Sequence, residues 1–401
     1  MKNRQLFPDV MRHVEHKNAL VITGMRQVGK TTLLRQVFDA LGDKPKVWFD
    51  LDNPLDQRVF EDIEYRNIYT RLAASANVSG KDERLYVFVD EIQNFPEITK
   101  VIKYLIDHFG VKFFVTGSSN FYLKNLFPES LSGRKFLFVL DPLSFGEYLY
   151  FQDRVPFDAI AGSVDTKTEL DTRSKSIVDF KKFEPEYDEY IRFGGFPEVA
   201  MTADEGVKVQ VLKNIFASFF EKDLKILSNY TDIRELRDLI LLLVPRVGSM
   251  LDVTKLSSEL GISRQKVYDY LEFLQGTFFI RLLPRFSKSI DRSVAGGRKV
   301  YFSDTGILSV IGTVNDAQLF ENTVVNQVSR YGEVSFYSKR NTAEIDIILN
   351  KNIALEVKLS GVERDLKKTR QLSDKLGLSE TYVVSKTFKE TDGFVSSIFF
   401  L

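Results

Sequence analysis

Gly24-Met25-Arg26-Gln27-Val28-Gly29-Lys30-Thr31-Thr32 fits the pattern G-x-x-x-x-G-K-[ST], a phosphate-binding loop. Upstream, Ala19-Leu20-Val21-Ile22-Thr23 is a short apolar run that reads as a buried strand. Downstream, Leu33, Leu34, Val37, Phe38 and Leu41 recur at helical spacing, with Gly42 as a stop. The loop therefore falls between a strand and a helix N-terminus. Gly24 and Gly29 permit backbone angles closed to other residues and let the main chain approach a phosphate. The loop N–H groups and the helix dipole then face the anion. Lys30 is expected to reach the β- and γ-phosphates, and the Thr31 hydroxyl to ligate Mg²⁺. Residues Gly24 through Thr32 are the expected nucleotide-binding set.

The chain has 401 residues, enough for two to four domains, with 44% hydrophobic and 27% charged residues. Lys plus Arg and Asp plus Glu stand at 55 each, so the net charge is zero. That balance argues against a wholesale nucleic-acid coat but leaves room for a local basic patch. No cysteine is present, which excludes disulfides and thiolate metal sites. With only His13, His16 and His108, a histidine-built zinc site is not expected. Neither a signal-peptide core nor an apolar run of membrane-spanning length is seen, so the expected location is cytoplasmic. Asp153 to Glu189 is polar and charge-rich, and reads as a solvated connection or insertion on a lid.

In chain order, Asp9 to His16 reads as a polar-faced helix beside the nucleotide site, and Lys46 to Leu51 as a strand broken at Asp52-Asn53-Pro54. Leu85-Tyr86-Val87-Phe88-Val89 is a buried strand with Asp90 and Glu91 at its carboxyl end, where ligands of open α/β sheets bind. Asp90 is expected to hold Mg²⁺, and Glu91 to polarise the attacking water. Ile98 to Phe109 reads as an amphipathic helix. The strand Val111 to Val115 then ends in Thr116-Gly117-Ser118-Ser119-Asn120. A polar group there either touches the γ-phosphate or lytic water, or caps the next helix. Arg134 precedes the strand Lys135 to Val139. It is either an arginine finger for a neighbouring subunit's nucleotide or a surface charge.

The series Gly24–Thr31, Asp90-Glu91, Thr116-Gly117-Ser118-Ser119, Gly133-Arg134, Pro142-Leu143-Ser144-Phe145-Gly146-Glu147-Tyr148 and Gly194-Gly195-Phe196-Pro197-Glu198 resembles the prokaryotic AAA+-type ATPases that carry an uncharacterised C-terminal domain. The resemblance covers nearly the whole chain. It implies that Lys30, Thr31, Asp90 and Glu91 are Walker residues, Ser118 the sensor and Arg134 the finger. Thr116, Ser119 and Asn120 remain alternatives for the sensor. A homo-oligomer is compatible with that family.

Further on, Val211 to Leu227 and Ile233 to Val244 read as lid helices. Asp252 to Ser263 reads as helix and turn. Ser263 caps a second helix with Val267, Tyr270, Leu271 and Leu274 at core spacing, and a strand follows at Phe278 to Leu283. This is the order of a winged helix, with Arg264, Gln265 and Lys266 where base-edge contacts are made. Its other use is packing. Arg285, Lys288, Arg292, Arg298 and Lys299 make a modest basic patch.

At the C-terminal end, Glu344 to Leu349 and Ile353 to Lys358 read as two strands joined at Asn350-Lys351-Asn352. Asp346, Glu356 and Lys358 are similar to the restriction-endonuclease-like pattern D-x(n)-E-x-K, with Glu321 on the preceding helix as the helical acid. Ile345 stands where that family has proline. Asp346 and Glu356 are the expected metal ligands, and Lys358 the expected catalytic lysine. The alternative is an inactive fold in which Glu356 and Lys358 form an ion pair. The expected fold is thus α/β: a P-loop, AAA+-like parallel-sheet core at 1–150, a helical lid at 151–245, a winged helix at 246–290 and a nuclease-like α/β domain at 291–401. The expected function is ATP binding and hydrolysis that switches a DNA-, RNA- or protein-bound state. The competing classes are an ATP-gated metal-dependent nuclease and a non-catalytic module that holds nucleotide.

Overall fold

The computed structural model describes residues 1–78, 83–117, 133–161, 176–222, 230–287, 296–339 and 343–400. It divides into two compact units, Met1–Asp141 with Gly276–Phe278, and Pro142–Gln275 with Phe279–Leu401.

The first unit is built on a parallel sheet of strands β1 (Ala19–Thr23), β2 (Lys46–Asp50), β3 (Tyr86–Asp90), β4 (Lys112–Gly117) and β5 (Lys135–Val139). Their spatial order is β2-β3-β4-β1-β5. Every residue of β1, β3 and β4 is buried, as parallel strands covered on both faces require. Helix Ile98–Phe109 presents Ile98, Val101, Ile102 and Leu105 to that core at i, i+3, i+4, i+7, and stops at Gly110 with φ 64°. Each such side chain contributes roughly 1.5–3 kcal/mol when buried. The strand order has a chemical consequence. β4 lies between β1, which leads into the phosphate loop, and β3, which ends at Asp90.

The helix expected at Asp9–His16 is Phe7–Arg12, shorter because the chain turns at His13. The segment after it lies against β5, where the His13 and His16 rings meet Phe136 edge-on at 4.9 and 4.7 Å. Lys112 Nζ holds the segment from below by donating to the carbonyls of His13, His16 and Asn18 at 3.0, 2.7 and 2.6 Å.

In the second unit, helices Val253–Leu260 and Arg264–Gly276 precede an antiparallel pair, β6 (Ile280–Pro284) and β7 (Arg298–Phe302). Asp252 caps the first helix through Lys255 N, and Ser263 Oγ accepts from Lys266 N at 3.2 Å. After helix Asp316–Val328 comes a second sheet, ordered β12-β11-β10-β9-β8: β8 (Val334–Lys339), β9 (Ala343–Leu349), β10 (Ile353–Lys358), β11 (Glu380–Ser385) and β12 (Phe394–Ser396). β8, β9 and β10 run antiparallel; β10, β11 and β12 run parallel, with helix Glu363–Leu376 crossing between β10 and β11. Asn350 and Lys351, both at positive φ, make the tight turn between β9 and β10.

The expectation of a solvated loop over Asp153–Glu189 is corrected in its second half. Ile177–Phe193 is a helix opened by a capping box between Ser176 and Asp179. It buries Phe180, Tyr187, Tyr190, Ile191 and Phe193. Tyr187 Oη donates to Gln327 Oε1 at 2.9 Å and accepts from Ser397 Oγ at 2.7 Å. Dense Lys, Asp and Glu between these positions hide a narrow apolar stripe in the sequence.

That helix delivers Gly194 and Gly195 to a packed junction. Leu143 N donates to the Gly195 carbonyl at 2.6 Å, and Tyr190 Oη to the Leu143 carbonyl at 2.9 Å. A Cβ at Gly195 would lie 2.5 Å from Leu143 O, and one at Gly194, where φ is 73°, 2.2 Å from Asp304 Oδ1. Buried Asp304 accepts from Gly195 N at 2.8 Å and Ile307 N at 3.0 Å. The Pro142–Tyr148, Gly194–Glu198 and Asp304–Gly306 stretches therefore meet as one structural joint.

Burial raises the Asp304 carboxyl to about 6, against opposing N–H donors from Gly195, Ile307 and Gly306. A folded-state pKa above the unfolded value means that Asp304 favours folding fully below about pH 4. That contribution is lost as pH rises through 6. Asp304→Asn is expected to flatten the fall in unfolding free energy between pH 4 and 7, by up to about 3 kcal/mol. Urea denaturation of both proteins across that range reads it; parallel pH profiles would assign the dependence elsewhere.

Candidate functional site

The phosphate loop combines two left-handed glycines, Gly24 at φ 146° and Gly29 at φ 95°, with Gln27 at φ 62°. A Cβ on Gly24 would lie 2.1 Å from the Leu140 carbonyl oxygen, so only glycine fits. The Met25 and Val28 side chains are buried. Helix Lys30–Ala40 begins at Gly29 with no side-chain cap, and the N-terminus of a helix favours an anion. Buried Lys30 donates Nζ to the carbonyls of Gly24 at 3.1 Å and Met25 at 2.7 Å. An ammonium folded onto its own loop, at the N-terminus of a helix, fits the phosphates of a nucleotide.

Asp90 ends β3 in a buried position, and Thr116 at the end of β4 donates its hydroxyl to Asp90 Oδ1. Thr116 Oγ1 also accepts from Glu91 N at 3.1 Å. Glu91 itself takes a left-handed backbone, φ 53° and ψ 49°, and its carboxylate accepts from Gln93 Nε2. One hydroxyl thus links both acids at the edge where β1, β3 and β4 end. An oxygen-only set of Thr31 and Asp90 suits Mg²⁺. Ser118, Ser119 and Asn120 lie outside the described residues, as do Lys288 and Arg292. Arg134 sits at the far end of the sheet. β1 and β5 pair from Ala19↔Lys135 to Thr23↔Val139, which separates Arg134 from the loop by the strand's length, roughly 15 Å. Its guanidinium pairs with Asp107 at 2.8 Å.

Residues 16–149 match the family model described as AAA domain. That match, with the phosphate loop following β1, supports a P-loop ATPase family for these residues. Residues 184–318 and 317–396 match two domains of unknown function, DUF8612 and DUF4143. An uncharacterized protein of Methanocaldococcus jannaschii is 28% identical over 368 residues, covering 86% of this chain and 77% of its own length. One from Haemophilus influenzae is 28% identical over 343 residues, covering 82% and 79%. Among solved structures, the Walker-type ATPase paby2304 of Pyrococcus abyssi aligns with a TM-score of 0.48 at 15% identity, over 77% of this chain and 95% of that one.

Beyond residues 16–149, two residues of the expected base-reading turn are already paired, and one member of the expected basic patch is corrected. Lys266 Nζ pairs with Asp232 at 2.8 Å and Glu235 at 2.6 Å, bonds that hold its pKa well above the usual range. Gln265 donates to Asp269 Oδ1 at 2.9 Å. Lys299 is buried and pairs with Glu344 at 2.6 Å, so it is no part of a surface patch. The acids that neutralise these lysines lie far away in sequence, which is why the sequence reads basic there.

The β9–β10 ladder places Asp346 beside Glu356. Pairing ends at Leu355↔Ile347, and Asp346 Oδ2 then accepts from Val357 N at 2.9 Å. Lys358 Nζ lies 2.8 Å from Glu356 Oε1 and 3.8 Å from Asp346 Oδ2. Burial, then the charge of Asp346, raises Glu356 to about 7. Glu321 accepts from Tyr301 Oη at 2.6 Å and lies 3.7 Å from Lys299. Among the described residues no three Asp, Glu or His side chains are grouped to hold a metal ion. The Lys358 ammonium lies between the two expected metal ligands, in the arrangement of the ion-pair alternative. Arg4, buried against the phosphate loop, carries no signal in the sequence, because an isolated basic residue gives no pattern to find.

Proposed function

We propose that the AAA domain binds ATP with Mg²⁺ and hydrolyses it, and that its nucleotide state switches the hold of the chain on a partner. The observation that supports this best is the Thr116 hydroxyl joined to both Asp90 and the Glu91 main chain, one strand away from the phosphate loop. In this reading the Gly24–Thr32 main chain and Lys30 hold the phosphates, and Thr31 and Asp90 hold Mg²⁺. The metal, when bound, neutralises phosphate charge. Glu91 accepts the proton of the attacking water, with Thr116 or Ser118 as sensor. Arg134, being remote from its own loop, serves only a neighbouring copy's nucleotide. Residues 151–245 act as lid and 246–290 as winged helix. DNA or RNA contact rests on exposed Arg264 in that segment and Arg298 after it, rather than on Lys266 or Lys299. A protein partner is the other class.

A second reading, an ATP-gated nuclease at 291–401, is favoured by the order helix, three antiparallel strands, helix, parallel strand, which gathers Asp346, Glu356 and Lys358. One experiment separates the readings. Purified protein is incubated with ATP and either Mg²⁺ or a chelator, alone and with DNA or RNA, beside Asp346→Ala. Expected is Mg²⁺-dependent phosphate release, unchanged in Asp346→Ala. Nucleic-acid cleavage lost in that variant would establish the nuclease. Binding without turnover would leave a nucleotide-holding module.

A further inference from the structure

Arg4 lies near the start of the chain, yet it is only 4% exposed. Its Nη1 donates to the Val28 carbonyl at 2.6 Å and its Nη2 to the Asp141 carbonyl at 2.8 Å. Burying a guanidinium is costly unless its donors are used. Here they join two main-chain points that are remote in sequence. Val28 belongs to the phosphate loop. Asp141 is the last residue before the chain leaves the first unit.

The neighbouring residues of the two segments also meet. Leu140 N donates to the Thr23 carbonyl at 2.7 Å, and Gly24 packs on the Leu140 carbonyl so closely that no Cβ fits. The N-terminal segment that carries Arg4 is itself held. Gln36 Nε2 donates to the Lys2 carbonyl at 2.7 Å, Phe7 N donates to the Arg4 carbonyl at 2.9 Å, and Lys112 gathers three carbonyls beyond it.

Geometry then gives Arg4 an influence on the loop. The peptide between Val28 and Gly29 is planar and trans, so its C=O and N–H point in opposite directions. Fixing the Val28 oxygen on Arg4 turns the Gly29 N–H away from Arg4. It also polarises that N–H as a donor, because a charged partner on one end of an amide strengthens the other.

We propose that Arg4 is a positioning residue that sets the Val28–Gly29 peptide for phosphate and ties the phosphate loop to the exit segment Leu140–Asp141. Nucleotide occupancy is then felt where the chain passes to the second unit. The inference rests on the nucleotide reading above.

The test pairs ATP calorimetry with amide hydrogen exchange over residues 138–143, in the wild type, Arg4→Ala and Arg4→Lys. Circular dichroism checks folding, and Arg4→Lys stands in should the alanine variant fail to fold. Loss of a charge-assisted bond predicts a tenfold to hundredfold weaker Kd in Arg4→Ala, on the order of what such bonds contribute. A lysine has no fork to reach both carbonyls. Arg4→Lys is therefore expected to recover part of the affinity while ATP no longer slows exchange at 138–143. A purely structural arginine would lower stability but leave the ATP effect on exchange intact, and that result overturns the proposal. So does a wild type that binds ATP without slowing exchange there. A wild type that does not bind ATP overturns the nucleotide reading itself, and this inference with it.

Discussion

Glu91→Gln is expected to bind ATP as the wild type does and to turn it over roughly 10²–10⁴ times more slowly, the usual effect of removing a positioned general base. The amide keeps the size of the side chain and can still meet Gln93. Glu91 N keeps its bond to Thr116, because that bond is made by the main chain. Only the capacity to take a proton is lost. Calorimetry and single-turnover phosphate release on the same preparation check both halves. Wild-type turnover in the variant would place the base elsewhere. A joint loss of binding and turnover would mean that Glu91 shapes the site rather than acting in it.

Lys30→Ala is expected to abolish measurable ATP affinity, a loss of at least about a hundredfold, since a buried charge-assisted contact to phosphate has no substitute here. The variant also leaves the Gly24 and Met25 carbonyls without their donor, so some thermal destabilisation is expected. Lys30→Met separates the two effects by filling the space without the charge. Calorimetric titration of a folded Lys30→Met protein decides it, and retained affinity would remove Lys30 from the binding set.

Much of the first unit is legible in the sequence because its signals are local. β1, β5 and the helix Ile98–Phe109 fall where the apolar runs and the helical spacing put them. What is not local is not legible. Parallel strands carry no mark of their neighbours, so nothing in the residues announced that β4 lies between β1 and β3. That placement is what brings Thr116, rather than only the residues after it, to Asp90. The Gly194-Gly195 pair is visible as a motif, but its reason, the Asp304 carboxylate and the Leu143 carbonyl pressed against it, comes from two distant stretches. Lys266 and Lys299 read as surface charge because their acidic partners are 34 and 45 residues away along the chain.

The backbone of Glu91 carries one more consequence. An L-residue held at φ 53° and ψ 49° stands about 1–2 kcal/mol above its relaxed state. Glycine would occupy that turn at ease. Under the role proposed for Glu91, durability and catalysis pull in opposite directions at a single position. Selection for heat tolerance alone would drift toward the smaller residue and leave a sturdier protein that grips its nucleotide without consuming it.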